Sequence, residues 1–296
     1  MTPRALITGA SGQVGLALQE QRPHGWEVIA CGRGDLDVTN AENVRTVLRR
    51  ARPAVVLHTA AYTAVDAAES DPDRAHAVNT IGTAHVAEAA REVGARLLHV
   101  STDFVFSGAR GRPWRPDDTP EPLCVYGRTK LAAEREASRV LGARAITIRT
   151  AWVYSSHRQN FALTMLRLMR EQQAVGVVSD QIGTPTWARP LADALWRAAA
   201  RPELEGILHW TDAGVASWYD FAVAIQEEAL AQGLLSRSVP VRPLRTEEFS
   251  RPARRPPYSV LDKSAAWSEL GGVPMHWRES LRRMLRELPR ASPRGA

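Results

Sequence analysis

The chain has 296 residues, 44% of them hydrophobic, and a formal net charge of +6. It has no apolar run of the about 18 residues that suggest a membrane span, and its two cysteines, Cys31 and Cys124, are too few for a disulfide scaffold, which points to a reducing cytoplasm. The basic surplus gathers between Arg237 and Arg255, a stretch also rich in proline and so mostly extended or loop. It lacks the interleaved aromatics of a nucleic-acid surface and suits either an anionic small molecule such as a diphosphate or plain solvation.

Taken in order, Arg4–Thr8 reads as a short buried strand, beginning too early to leave room for a signal peptide. Gly9, Gly12 and Gly15 follow at once, and Leu16–Glu20 has helical character. Glycines at this spacing between a strand and a helix suit a dinucleotide: one for the tight turn, one for close approach of backbone to a pyrophosphate, one for helix–strand packing. The exposed N–H groups at the helix start favour phosphate. Trp26–Cys31 is a second strand, ending in Gly32-Arg33. An acidic residue there would bind the adenosine ribose and select NAD. Arg33 instead suits a 2′-phosphate and favours NADP, while Asp35 keeps NAD open as the alternative.

Helix Ala41–Ala51 with Asn40 as cap, strand Ala54–His58, a long helix Pro72–Val93 stopped by Gly94, and strand Arg96–Ser101 come next. A helix from near Pro122 to Val140 and strand Arg144–Arg149 complete the first half. Alternating strands and helices predict an α/β fold, a Rossmann-type doubly wound parallel sheet. Ligands bind at the carboxyl ends of such strands, so Gly9, Ala60–Tyr62, Ser101–Asp103 and Ala151–Trp152 should share one crevice. The second half carries helices Gln159–Glu171, Trp187–Ala199, Ser217–Gln232 and Trp277–Leu288 and a short strand Ile207–Trp210. The expected division is a dinucleotide-binding domain over 1–154, a smaller substrate domain over 155–288 with some segments returning to the sheet, and a flexible tail over 289–296.

The chain contains two lysines against 36 arginines, and one of them, Lys130, lies four residues after Tyr126. Residues at i and i+4 share a helix face, and a nearby cation lowers a tyrosine pKa. The pair therefore suits a proton donor for a carbonyl under reduction, although a surface helix carrying an aromatic and a charge would read the same. Cys124 reads as a buried, inert thiol, and the eight histidines show no metal-ligand spacing.

These features together resemble the extended short-chain dehydrogenase/reductases. Seven segments narrow the likeness: Gly12-Gln-Val-Gly15, His58–Asp66, Ser101–Phe106, Tyr126–Leu131, Arg149–Tyr154, Asp180–Thr186 and Ala253–Pro256. In order and spacing they are similar to the dTDP-4-dehydrorhamnose reductases, over about residues 4–288. The resemblance implies NAD(P)H-dependent reduction of the C4 ketone of dTDP-4-dehydro-L-rhamnose. It implies that Gly12, Gln13 and Val14 hold the cofactor pyrophosphate, that Asp37 and Val38 flank the adenine, and that Ala61, Tyr62 and Thr63 line the ribose and nicotinamide. Tyr126 would donate the proton, Lys130 would bind the nicotinamide ribose and lower the Tyr126 pKa, and Thr102 would hydrogen-bond the carbonyl oxygen. Asp103 and Trp152 would touch the sugar, with Arg254 and Arg255 on the substrate. Some family members form a magnesium-bridged dimer on glutamates; the matching positions here are Ala17 and Arg189, so the expectation is no metal and a monomer or metal-free homodimer. Two other readings stay open. One is a reductase or epimerase of another nucleotide ketosugar, with Cys124 and His157 the epimerase candidates by type. The other is a non-catalytic regulatory subunit of methionine adenosyltransferase.

Overall fold

The computed structural model describes residues 2–272 and 275–289. Six strands form one parallel sheet: β1 (Arg4–Thr8), β2 (Glu27–Cys31), β3 (Val55–His58), β4 (Arg96–Thr102), β5 (Ala145–Thr150) and β6 (Gly206–His209). Their order is β6-β5-β4-β3-β1-β2. The chain leaves β1 toward β2 on one side and returns through β3 on the other, which opens a crevice at the carboxyl ends of β1 and β3. Strands β1, β3 and β5 are buried along nearly their whole length, as strands covered on both faces must be.

Helix α1 (Gln13–Glu20) covers one face of the sheet. Helices α2 (Ala41–Ala51), α3 (Gly82–Val93) and α4 (Val125–Leu141) cover the other. Asn40 caps α2 by accepting the Asn43 N–H, and Gly94 ends α3 at φ 77. The expected long helix from Pro72 to Val93 is interrupted by a π turn at Ala77–Ile81, a distortion often found at functional sites.

The second half divides its packing. Helix α5 (Phe161–Glu171), α7 (Trp218–Ala231) and α8 (Trp277–Arg286) surround a separate cluster of Met165, Met169, Phe221, Ile225, Leu281 and Met284. Helix α6 (Ala188–Ala199) instead lies on the main sheet with α1, and β6 is the sheet's outermost strand beside β5. Segments after residue 154 therefore complete the sheet. Within the proline-rich stretch, Val241–Leu244 pairs in parallel with Val175–Val178. The short helices Val65–Ser70 and Ser264–Leu270 have no counterpart in the sequence reading. Of the tail expected to be flexible, residues 290–296 lie outside the described residues.

Candidate active site

The glycine loop turns where the backbone demands it. Gly9 sits at φ +65, and a Cβ there would stand 2.7 Å from the Ala60 nitrogen; a Cβ on Gly15 would stand 2.4 Å from the Gly9 oxygen. Gly12 caps α1 in extended conformation without any side chain. The result is a bare cradle at the positive end of α1, beside the end of β3, which fits the diphosphate of a dinucleotide. The Gln13 side chain faces away from that role: it accepts from Ser155 Oγ and Asn160 Nδ2 at 3.0 and 3.1 Å. Arg158, itself at φ 59, donates from Nε to the Ser11 carbonyl at 2.8 Å. No motif pointed to Ser155, Arg158 or Asn160; only the fold lays that segment over the loop.

Around the adenosine end, Arg33 is exposed, whereas an Asp35 oxygen is taken by the Gly32 N–H at 2.9 Å. Thr39 donates to Asp37 through hydroxyl and backbone, holding that carboxyl below its usual range. Val38 is buried in the core, packed against Gly82 of α3. Ala61, Tyr62 and Thr63 follow β3, and Asn79 of the π turn grips Tyr62 by both backbone groups, at 2.7 and 3.2 Å. Sequence reasoning missed Asn79; a polar residue within an alanine-rich helix was its one available signal.

At the end of β4, the Thr102 hydroxyl donates to Asp103 Oδ1 at 3.0 Å and accepts the Phe104 N–H at 3.2 Å, and the Phe104 ring meets Tyr126 from α4 edge-on with centroids 5.6 Å apart. Burial pushes that phenol well above its ordinary pKa, Thr102 opposes this, and Asp103 and Cys124 add to the rise. The expected lowering by Lys130 is therefore corrected. Lys130 is 2% exposed, and its Nζ turns inward to the Val100 carbonyl at 2.8 Å and His99 Nε2 at 3.1 Å. Burial pulls the lysine down to about 8, against the influence of Glu134. Asp103 is buried beside the pair and pushed up to about 6 by burial, with Ser259 and Thr102 opposing. One of its oxygens, Oδ2, has no hydrogen-bond partner among the described residues.

The comparisons with known proteins match this arrangement. Residues 3–290 match the family described as RmlD substrate binding domain. The chain belongs to that family. It is 46% identical over 285 residues to the dTDP-4-dehydrorhamnose reductase of Streptomyces griseus, covering 94% of this chain and 92% of the relative. It is 40% identical over 286 residues to the spore coat polysaccharide biosynthesis protein SpsK of Bacillus subtilis, covering 96% and 97%. A crystal structure of dTDP-4-dehydrorhamnose reductase from Bacillus anthracis in complex with NADP superposes with a TM-score of 0.92 at 36% identity, covering 97% of this chain and all of that one.

Other expected residues of this RmlD family member find different surroundings. Arg255 forms a bidentate pair with Asp66 at 2.8 and 3.0 Å, so it straps the 251–257 loop to helix Val65–Ser70 and has little left for a diphosphate. Arg254 is exposed. Trp152 adopts φ 48 and stacks on Trp218 with centroids 3.5 Å apart, so one ring face is already covered. Cys124 caps α4 by accepting the Gly127 N–H, and burial pushes its thiol up. His157 pairs with Glu20 at 2.8 Å. Arg189 lies between Glu20 and Glu287, at 3.5 and 3.0 Å. Behind the site, Arg149 forks onto Glu134, both buried, and Ser101 donates to the same carboxylate.

Proposed function

We propose that this chain reduces the C4 ketone of dTDP-4-dehydro-L-rhamnose to dTDP-L-rhamnose with NADPH. The observation that carries the reading is that Thr102, at the end of β4, and Tyr126, in the first turn of α4, are brought to the same carboxyl ends of the strands as a bare glycine cradle, with Phe104 bridging the two. The 46% identity to a reductase of that name and the NADP-bound structural neighbour support substrate and cofactor.

When bound, NADPH supplies hydride to the ketone carbon. This chain's residues handle the oxygen. Tyr126 starts protonated at neutral pH, as any phenol with an ordinary or raised pKa does, and a donor in the reductive direction must start protonated. It transfers that proton to the C4 oxygen as charge develops there, while Thr102 hydrogen-bonds the same oxygen. Lys130 serves the nicotinamide ribose and Ala61–Thr63 line the pocket around it. Gly12, whose own N–H donates to the Gly9 carbonyl, gives the diphosphate bare backbone to approach, Gln13 and Val14 offer it their backbone N–H groups, and Arg33 meets the 2′-phosphate. Asp103, buried beside Thr102, lies at the sugar end of the site. Arg189, which occupies the gap between two glutamates, supports a monomer or a metal-free dimer. No helix among the described residues is long and apolar enough to cross a membrane.

The test is loss of NADPH absorbance with dTDP-4-dehydro-L-rhamnose generated in place and EDTA present. Turnover is expected. NADPH binding without turnover on this sugar, with or without magnesium, would transfer the activity to another ketosugar or to a binding role.

A further inference from the structure

We propose that His99 is a positioning residue of this reductase, supplying from strand β4 the acceptor that keeps the buried Lys130 ammonium charged and aimed. The inference rests on the reading above, in which Lys130 serves the cofactor.

An ammonium has three donors and no lone pair. Lys130 Nζ places one donor on the Val100 carbonyl at 2.8 Å and another on His99 Nε2 at 3.1 Å, leaving the third for the ribose. Because the ammonium can only donate, Nε2 must carry the lone pair and the ring proton must sit on Nδ1. That Nδ1 is buried without a hydrogen-bond partner among the described residues. An orphaned donor in a core is destabilising, and an apolar side chain at position 99 would avoid it. The imidazole's compensating contact is the one it makes to Lys130.

The surroundings point the same way. His58 on β3 stacks against His99 with centroids 5.3 Å apart, and both of its nitrogens are committed, to Thr8 at 2.7 Å and Thr83 at 3.0 Å. Both imidazoles are held neutral by burial and by the Lys130 charge, so neither repels the ammonium. On α4, Tyr126 stands one turn before Lys130 and Glu134 one turn after it. Glu134 is the one acidic influence favouring the charged lysine, but its oxygens are taken by Arg149 from β5 and Ser101 from β4. The Val100 carbonyl and His99 are therefore the direct partners that hold the charge. Hydrogen bonding to a charged form favours that form, so an apolar replacement should let Lys130 neutralise more readily.

Having two lysines in the whole chain makes this directly measurable. Protein labelled with ¹³C at lysine Cε gives two side-chain signals, and Lys263→Arg removes one to assign the other. With His99→Leu, the Lys130 signal should titrate lower by about one pH unit or more, and NADPH affinity by fluorescence titration should fall about tenfold. His99→Gln retains an acceptor and should stay near wild type in both. If His99→Leu does not fold, His99→Met takes its place. An unchanged Lys130 titration in the apolar variant, or an equal shift in His99→Gln, overturns the proposal. A merely structural role would lower the melting temperature without moving the titration. Neither readout requires turnover, so failure of the reductase reading would appear in the NADPH oxidation assay alone.

Discussion

Tyr126 shows how far a residue's pair can be read and where its chemistry escapes the reading. The i, i+4 spacing with Lys130 was visible, but the lysine's inward turn was not, because His99 and the Val100 carbonyl lie on a strand remote in sequence. Burial pushes the phenol up rather than down, with no lowering from the inward-turned lysine. Tyr126→Phe should reduce kcat by about 10²- to 10⁴-fold with NADPH affinity retained, as measured by steady-state kinetics and cofactor fluorescence; normal turnover would remove Tyr126 from the proton-donor role. Arg33→Ala should weaken NADPH much more than NADH, because Asp35 already accepts from its own turn at Gly32 while Arg33 is exposed. Equal losses for the two cofactors would take Arg33 off the 2′-phosphate.

At the scale of elements, local signals placed most boundaries. Asn40 caps α2, Gly94 ends α3, and Ser217 with Asp220 forms a capping box on α7, each a short-range hydrogen-bond pattern. The π turn at Ala77–Ile81 was not legible, since alanine-rich sequence favours plain α-helix and it is Asn79's bonds to Tyr62 that tie this turn to the neighbouring loop. Between elements, the Arg149–Glu134 pair joins β5 to α4 with both side chains buried. Arg149→Met would leave the Glu134 charge uncompensated, and urea denaturation should show a loss of about 3–5 kcal/mol. A loss below about 1 kcal/mol, the range of an exposed pair, would show that water reaches the carboxylate.

Across the whole molecule, Asp212 ties the end of the sheet to the second half. It is fully buried just after β6, accepts the Trp187 N–H at 3.1 Å through Oδ2, and sits near Lys263. Burial pushes it up to about 7, with the Trp187 N–H, Ser280 and Lys263 opposing. A carboxyl raised in the folded state binds protons there that the unfolded chain has already released. Its contribution to stability is thus greatest below the unfolded value near 4 and declines as pH rises toward about 7. Asp212→Asn removes this titration, so the melting temperature of the variant relative to wild type should improve steadily between pH 4 and 7. A flat difference over that window would place the carboxyl's pKa near its ordinary value.

The sequence by itself determined the alternation of strand and helix, the glycine cradle and the Tyr126–Lys130 pair, because each depends on contacts or periodicities within a few residues. It also carried the family likeness, which rests on several short segments in fixed order. The tertiary structure decided which of those residues remain free to act. Arg255 is bound by Asp66 and Gln13 by Ser155 and Asn160, partners more than 140 residues away. The placement of β6 and α6 on the main sheet was likewise decided by long-range burial, since a short apolar strand carries no mark of the neighbour it will pair with.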